Sequence, residues 1–176
     1  DMVRDFTDPD GLVFYPMNRQ ILPAVVRLVD LCHQTGALVI FMQHRYRSGK
    51  YDRNLETMRP NCIEGSGGEA LDPALPVERD YIIQKRRYSA FYGTDLDLVL
   101  REHGIKNVAV VGTKTNCCIR ATVHDAYFND YLPIVISDCV GTNSEEVNRV
   151  HLEDMDKYFG TVMTAGQFSD RLKEDG

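Results

Sequence analysis

The sequence predicts an α/β fold: a doubly wound, mostly parallel sheet with helices on both faces, a three-layer Rossmann-like arrangement. Short apolar, β-branched runs alternate along the chain with segments whose apolar residues recur every three to four positions. The run Val108-Ala-Val-Val-Gly112-Thr-Lys-Thr-Asn-Cys-Cys118 passes from a strand through a short polar turn directly into a helix. Size agrees with these patterns, since 176 residues, 43% hydrophobic and without a low-complexity tract, suffice for one domain over 1–176. In such sheets, sites form beyond the carboxyl ends of the strands.

Each element has its own signal. Ile21, Leu22, Val25, Val26, Leu28, Val29 and Cys32 lie at helical spacing, so 21–34 reads as a helix with Pro23 in its first turn and Gly36 as terminator. The runs 37–42 and 81–83 read as buried strands. Thr94 caps a helix reaching 101, with Leu96, Val99 and Leu100 on its apolar side, and Gly104 closes it. A strand over 108–111 precedes a helix over 117–129, and 133–136 is the next strand. Asn143 and Glu146 stand at capping-box spacing before a helix that reaches Phe159, and 161–163 is a short last strand. The segment 43–80, rich in Arg, Gly, Pro and Asn, lacks periodicity and reads as a surface excursion that builds or covers the site. The alternation also calls for one more strand leading directly into Asp1, at the centre of the sheet.

Composition narrows the function. A net charge of −6 gives no general attraction to nucleic acid or anionic membranes, and no apolar run is long enough to span a bilayer. Five cysteines, odd in number and scattered without a C-x-x-C pair, point to a reducing compartment and individual roles, and the cytoplasm is the expected location. One of them sits where a strand turns into a helix. Unpaired N–H groups and the helix dipole stabilise a thiolate there, and the same N–H groups can receive an oxyanion.

Three segments bear on the chemistry: Asp1-Met-Val-Arg-Asp-Phe6, Gln84-Lys-Arg-Arg-Tyr-Ser-Ala-Phe-Tyr-Gly-Thr94 and Gly112-Thr-Lys-Thr-Asn-Cys-Cys118. In order and wording they closely resemble the isochorismatase-like cysteine hydrolases, over nearly the whole chain. The resemblance implies an Asp–Lys–Cys triad at Asp1, Lys85 and Cys118, and an oxyanion hole from the backbone N–H groups of Lys114 and Cys118. It also implies a cis peptide at Thr113–Lys114 and a pocket lined by Phe6 and Tyr88. Cys117 is the rival nucleophile, but adjacent helical positions point about 100° apart, so only one thiol faces the carbonyl.

Among the family's branches, Lys85-x-x-Tyr88-Ser89-x-Phe91-x-x-Thr94 and Cys118-Ile-Arg-Ala-Thr122 look most like the N-carbamoylsarcosine and ureidoacrylate amidohydrolases. Isochorismatases proper lack the cysteine, so Cys118 argues for C–N bond hydrolysis without a cofactor. Metal-dependent nicotinamidases would show Asp-x-His and a further histidine in the excursion, where only His44 occurs, so no metal is expected. Where this branch would grip a substrate carboxylate with arginine, the chain has Asn143. Arg47, or Arg45, Arg53 or Arg59, could substitute. The expected partners are a small-molecule substrate and further copies of the chain, as a dimer or tetramer. Two alternatives remain: a nicotinamidase-type amide hydrolase, and an inactive binding module of the same fold.

Overall fold

The computed structural model describes residues 1–174. The chain forms α1 (Arg4–Thr7), α2 (Pro16–Thr35), β1 (Ile40–His44), a 3-10 turn (Arg53–Glu56), β2 (Tyr81–Lys85), α3 (Leu96–Glu102) and β3 (Asn107–Thr113). A π-helical turn (Thr115–Ile119), α4 (Arg120–Phe128), β4 (Leu132–Gly141), α5 (Glu145–Tyr158), β5 (Thr161–Met163) and α6 (Ala165–Glu174) follow. β1 pairs with β2, β3 with β4 and β4 with β5, all in parallel.

The period-2 alternation of side chains along the strands separates the two faces. Ile134 and Ile136 of β4 pack with Val25 of α2 and Phe168 of α6, while Val135 between them packs with Val123 of α4 and Met155 of α5. β1 does the same, sending Phe41 to the α2 side and Ile40 and Met42 to Leu96 and Leu100 of α3. Helices therefore cover both faces of a parallel α/β sheet, as the alternation predicts.

Several boundaries differ from the sequence expectation. α2 begins at Pro16, not Ile21, because its first turn is largely polar and carries no periodic signal. Pro16 takes the N-terminal position, and Pro23 lies in the helix interior, exposed, where the backbone carbonyl it leaves unbonded can meet water. β1 starts at Ile40, since the N–H of Ala37 still serves α2 by donating to the Cys32 carbonyl. The cap of α5 is Ser144, whose hydroxyl accepts from the Val147 N–H at 3.3 Å, and Asn143 lies one residue outside it. Asp95 rather than Thr94 is the N-cap of α3, although the Thr94 hydroxyl accepts from the Leu96 N–H. The helix expected from Cys117 instead begins as the π-helical turn, with α-helical geometry only from Arg120.

The sheet consists of two pieces, β1–β2 and β3–β4–β5.

The excursion between β1 and β2 is anchored to the first residues of the chain. Arg4 and Asp5 donate backbone N–H groups to the carbonyls of Ala70 and Gly68, and Asp72 donates to Met2. The buried Asp5 carboxylate accepts from the N–H groups of Cys62 at 2.6 Å and Leu12 at 3.2 Å. A β-carbon on Gly68 would fall 2.3 Å from that carboxylate, so the segment approaches Asp5 as closely as only glycine permits. Two charge-assisted bonds in a buried setting should make Asp5→Ala less stable by about 2–3 kcal/mol. Urea unfolding measures this, and an unchanged midpoint would mean that the main-chain hydrogen bonds and apolar contacts hold the excursion without the carboxylate.

Candidate active site

Lys85 ends β2 and His44 ends β1, directly opposite each other in the parallel register. Lys85 is buried because the turn after it curls two carbonyls around its ammonium. Nζ donates to Arg87 O and Tyr88 O, both at 3.0 Å, lies 3.3 Å from His44 Nδ1, and pairs with Asp1 Oδ2 at 2.6 Å. The Asp1 carboxylate has no solvent exposure. Cys118 reaches the same place from the π-helical turn beyond β3, and is buried. One donor atom from each of Asp1, His44 and Cys118 lies within 4.8 Å of the other two.

Buried hydrogen bonds pin the turn that presents Cys118. The Thr113 hydroxyl donates to Asn18 Oδ1 at 2.6 Å, and Asn18 Nδ2 donates to the Phe6 carbonyl at 3.0 Å, tying β3, α2 and α1 together. The Thr115 hydroxyl donates to Asn148 Oδ1, and the Thr142 hydroxyl to Asn116 Oδ1. The Thr122 hydroxyl donates to the Cys118 carbonyl at 2.7 Å and accepts from the Ala90 N–H, which links the thiol to the segment that follows Lys85. The Thr113–Lys114 peptide is cis, at the position the resemblance implied. Gly112, at φ 109°, lies where a β-carbon would stand 3.3 Å from the Asp1 nitrogen, so a larger residue would meet both backbone strain and a tight contact.

The two neighbouring thiols are coupled. A hydrogen bond to Cys117, reinforced by burial, holds the Cys118 thiol above its ordinary range against the opposing pull of Lys85 and a hydrogen bond with His44. That same bond from Cys118, with help from Lys114 and Lys85, brings Cys117 down to about 7 despite its partial burial. Cys118 thus rests protonated and needs a base, which Asp1 beside it can supply. Burial pushes His44 below the usual imidazole range, so it stays neutral. Iodoacetamide should label Cys117 increasingly as pH rises through about 7, and labelled peptides identified by mass will show it. In Cys118→Ala that midpoint should move upward, because the donor is gone; an unmoved midpoint would disprove the coupling.

Asp1, Lys85 and Cys118 are therefore brought together, with Lys114 at the start of the same turn. Tyr88 is exposed and lies on the Cys117 side, its hydroxyl 3.4 Å from Met58 Sδ. The half-buried Phe6 ring is 6.3 Å from that of His44. Arg47 and Asn143 are both exposed, and Asn143 Oδ1 is 3.1 Å from the Thr142 hydroxyl. Cys62 and Cys139 are buried with thiols pushed up, Cys139 to about 12, and they act in packing. His124 stacks on Phe159 at 3.9 Å, far along the helix from the thiol. The five cysteines are free.

His44 is the residue that sequence reasoning missed. The sequence presents it only as a possible metal ligand, although equal placement at the ends of adjacent parallel strands is the signal that sets it beside Lys85. The Asp1, His44 and Cys118 donors could in principle hold a metal ion, yet the Lys85 ammonium already contacts two of the three. A second cation would have to displace it.

The family profile described as Isochorismatase domain matches residues 1–167. A ureidoacrylate amidohydrolase of Acinetobacter baylyi is 35% identical over 171 residues, covering 85% of this chain and 70% of that protein. A probable inactive nicotinamidase of Arabidopsis thaliana is 31% identical over 183 residues, covering 98% and 93%. Among solved structures, an isochorismatase-like hydrolase from Alkaliphilus metalliredigens superposes with a TM-score of 0.91 at 32% identity, covering 97% of this chain and 94% of that one.

Proposed function

Because the chain belongs to the isochorismatase family, we propose that it is a cysteine-dependent amidohydrolase that cleaves a C–N bond of a small carbamoyl, ureido or amide compound and releases ammonia. The observation that carries this reading is the buried Asp1–Lys85 ion pair of 2.6 Å beside the protonated Cys118. A carboxylate and an ammonium beside a thiol supply the base and the cation that a weak nucleophile needs.

Asp1 takes the proton from Cys118 Sγ, and the thiolate attacks the carbonyl carbon. The N–H groups of Lys114 and Cys118 receive the negative charge on the carbonyl oxygen, on a turn that the threonine and asparagine bonds hold in place. As the C–N bond breaks, Asp1 returns its proton to the leaving nitrogen and ammonia departs. Water, deprotonated by the same carboxylate, then attacks the thioester, the acid product leaves, and Cys118 regains its proton. Lys85 keeps a positive charge beside whichever partner is negative. Phe6 and Tyr88 enclose the substrate, and Arg47 on the excursion would grip a carboxylate if the substrate carries one.

A screen for ammonia release across carbamoyl-amino acids, ureas, nicotinamide and simple amides tests the reading. No release from any class would favour the binding-module alternative, which the name of the Arabidopsis relative keeps in view. Release from nicotinamide alone would favour the nicotinamidase type. Since the Lys85 ammonium already contacts Asp1 and His44, two of the three candidate ligands, activity should survive dialysis against EDTA. Loss on chelation with recovery on adding zinc, iron or manganese would place a metal in the reaction.

A further inference from the structure

Building on that reading, we propose that His44 is a positioning residue: its Nδ1 holds the Lys85 ammonium beside Cys118 while Asp1 carries the proton. The ammonium has three N–H donors and faces four acceptors: Asp1 Oδ2, Arg87 O, Tyr88 O and His44 Nδ1. When the proton moves from Cys118 Sγ to Asp1, the ion pair that fixes Lys85 becomes a contact with a neutral acid. The new negative charge then lies on sulfur. The two carbonyls hold Lys85 from its own turn, and His44 is the remaining anchor on the far side, with a ring nitrogen within 4.8 Å of both the carboxylate and the thiol.

Nδ1 can accept a hydrogen bond only from a neutral ring whose proton is on Nε2. Burial supplies the neutral ring, since His44 is 2% exposed and protonation there is disfavoured, and the Lys85 ammonium beside Nδ1 favours the tautomer with its proton on Nε2, which is buried without a partner. The ring is also fixed in place. Tyr46 packs edge-on at 4.7 Å and Phe6 at 6.3 Å, and the strand register sets His44 opposite Lys85. No further reagent is required, because one proton passes between Cys118 and Asp1 and the lysine keeps its own. The other titratable groups near the thiols are Cys117, Cys62, Tyr88 and Lys114.

The test uses Cys117→Ala as background, so that iodoacetamide labelling of the Cys118 peptide, read by mass across pH, reports one thiol. His44→Phe keeps a ring between Tyr46 and Phe6 and removes the acceptor. His44→Asn offers a side-chain oxygen near the place of Nδ1. The Phe variant should shift the Cys118 midpoint up by about one pH unit or more, equivalent to about a tenfold loss of thiolate, with kcat falling in step and KM little changed. The Asn variant should restore most of the shift. An unmoved midpoint in His44→Phe, or equal shifts in both variants, overturns the role of His44. Lys85→Met separates the layers: a shift there without one in His44→Phe sinks only the histidine, whereas no shift in Lys85→Met removes the triad and this proposal with it.

Discussion

Cys118→Ala should abolish ammonia release, lowering kcat/KM by at least about 10⁴-fold, while Cys117→Ala keeps most of the activity. The geometry makes the contrast sharp. Cys118 is buried against Asp1, Lys85 and His44, whereas Cys117 turns toward Tyr88 and Lys114 and ionises more readily. Cys117 should therefore label before Cys118 at neutral pH, although the proposed reaction uses Cys118. Since removing one sulfur from a buried turn costs little beside the loss of covalent catalysis, thermal unfolding should show Cys118→Ala folded. A dead Cys117→Ala beside an active Cys118→Ala would move the nucleophile by one residue.

The second large effect is expected at Lys85. Lys85→Met should lower kcat/KM by about 10³-fold and cost about 3–5 kcal/mol of stability, because it leaves a carboxylate with no solvent exposure without its cation. Asp1→Asn should also be inactive. Combined with Lys85→Met, it should recover much of the lost stability and none of the activity, because the double variant has no unpaired charge and no base. Denaturation curves and ammonia assays on the four proteins of this cycle provide the check. Strictly additive stability losses would mean that Asp1 and Lys85 do not act as a pair.

Elements with a strong period were legible in the sequence, and those whose form depends on distant partners were less so. The alternation identified β3 and its turn from Val108 to Cys118, and the parallel α/β layers followed from it. The extension of β4 to Gly141 was hidden because Ser137 and Asp138 interrupt its apolar run, and only the buried Cys139 and Val140 show it continuing. α1 is too short to show a period, and α6 shows only Ala165, Phe168 and Leu172 at helical spacing. In the site, three dispersed segments named Asp1, Lys85 and Cys118, but the π-helical winding under Cys118 is set by hydrogen bonds from Thr115 to Asn148 and from Thr142 to Asn116, residues up to 33 positions apart. The burial of Asp5 has no signal of its own in the sequence, because Cys62 and Gly68, which close around its carboxylate, lie in the distant excursion. His44 was read within its own segment, while its partner is 41 positions away across a strand pair.

Asp1, His44, Lys85 and Cys118 come from separate stretches of the chain, and the strand register and the turn beyond β3 bring them together. A site assembled from contacts so distant in sequence forms only once the tertiary structure is in place, because long loops must close before such contacts are gained. During refolding from urea, helical circular dichroism should therefore return before ammonia release does, and activity that recovered first would mean that local contacts alone build the site.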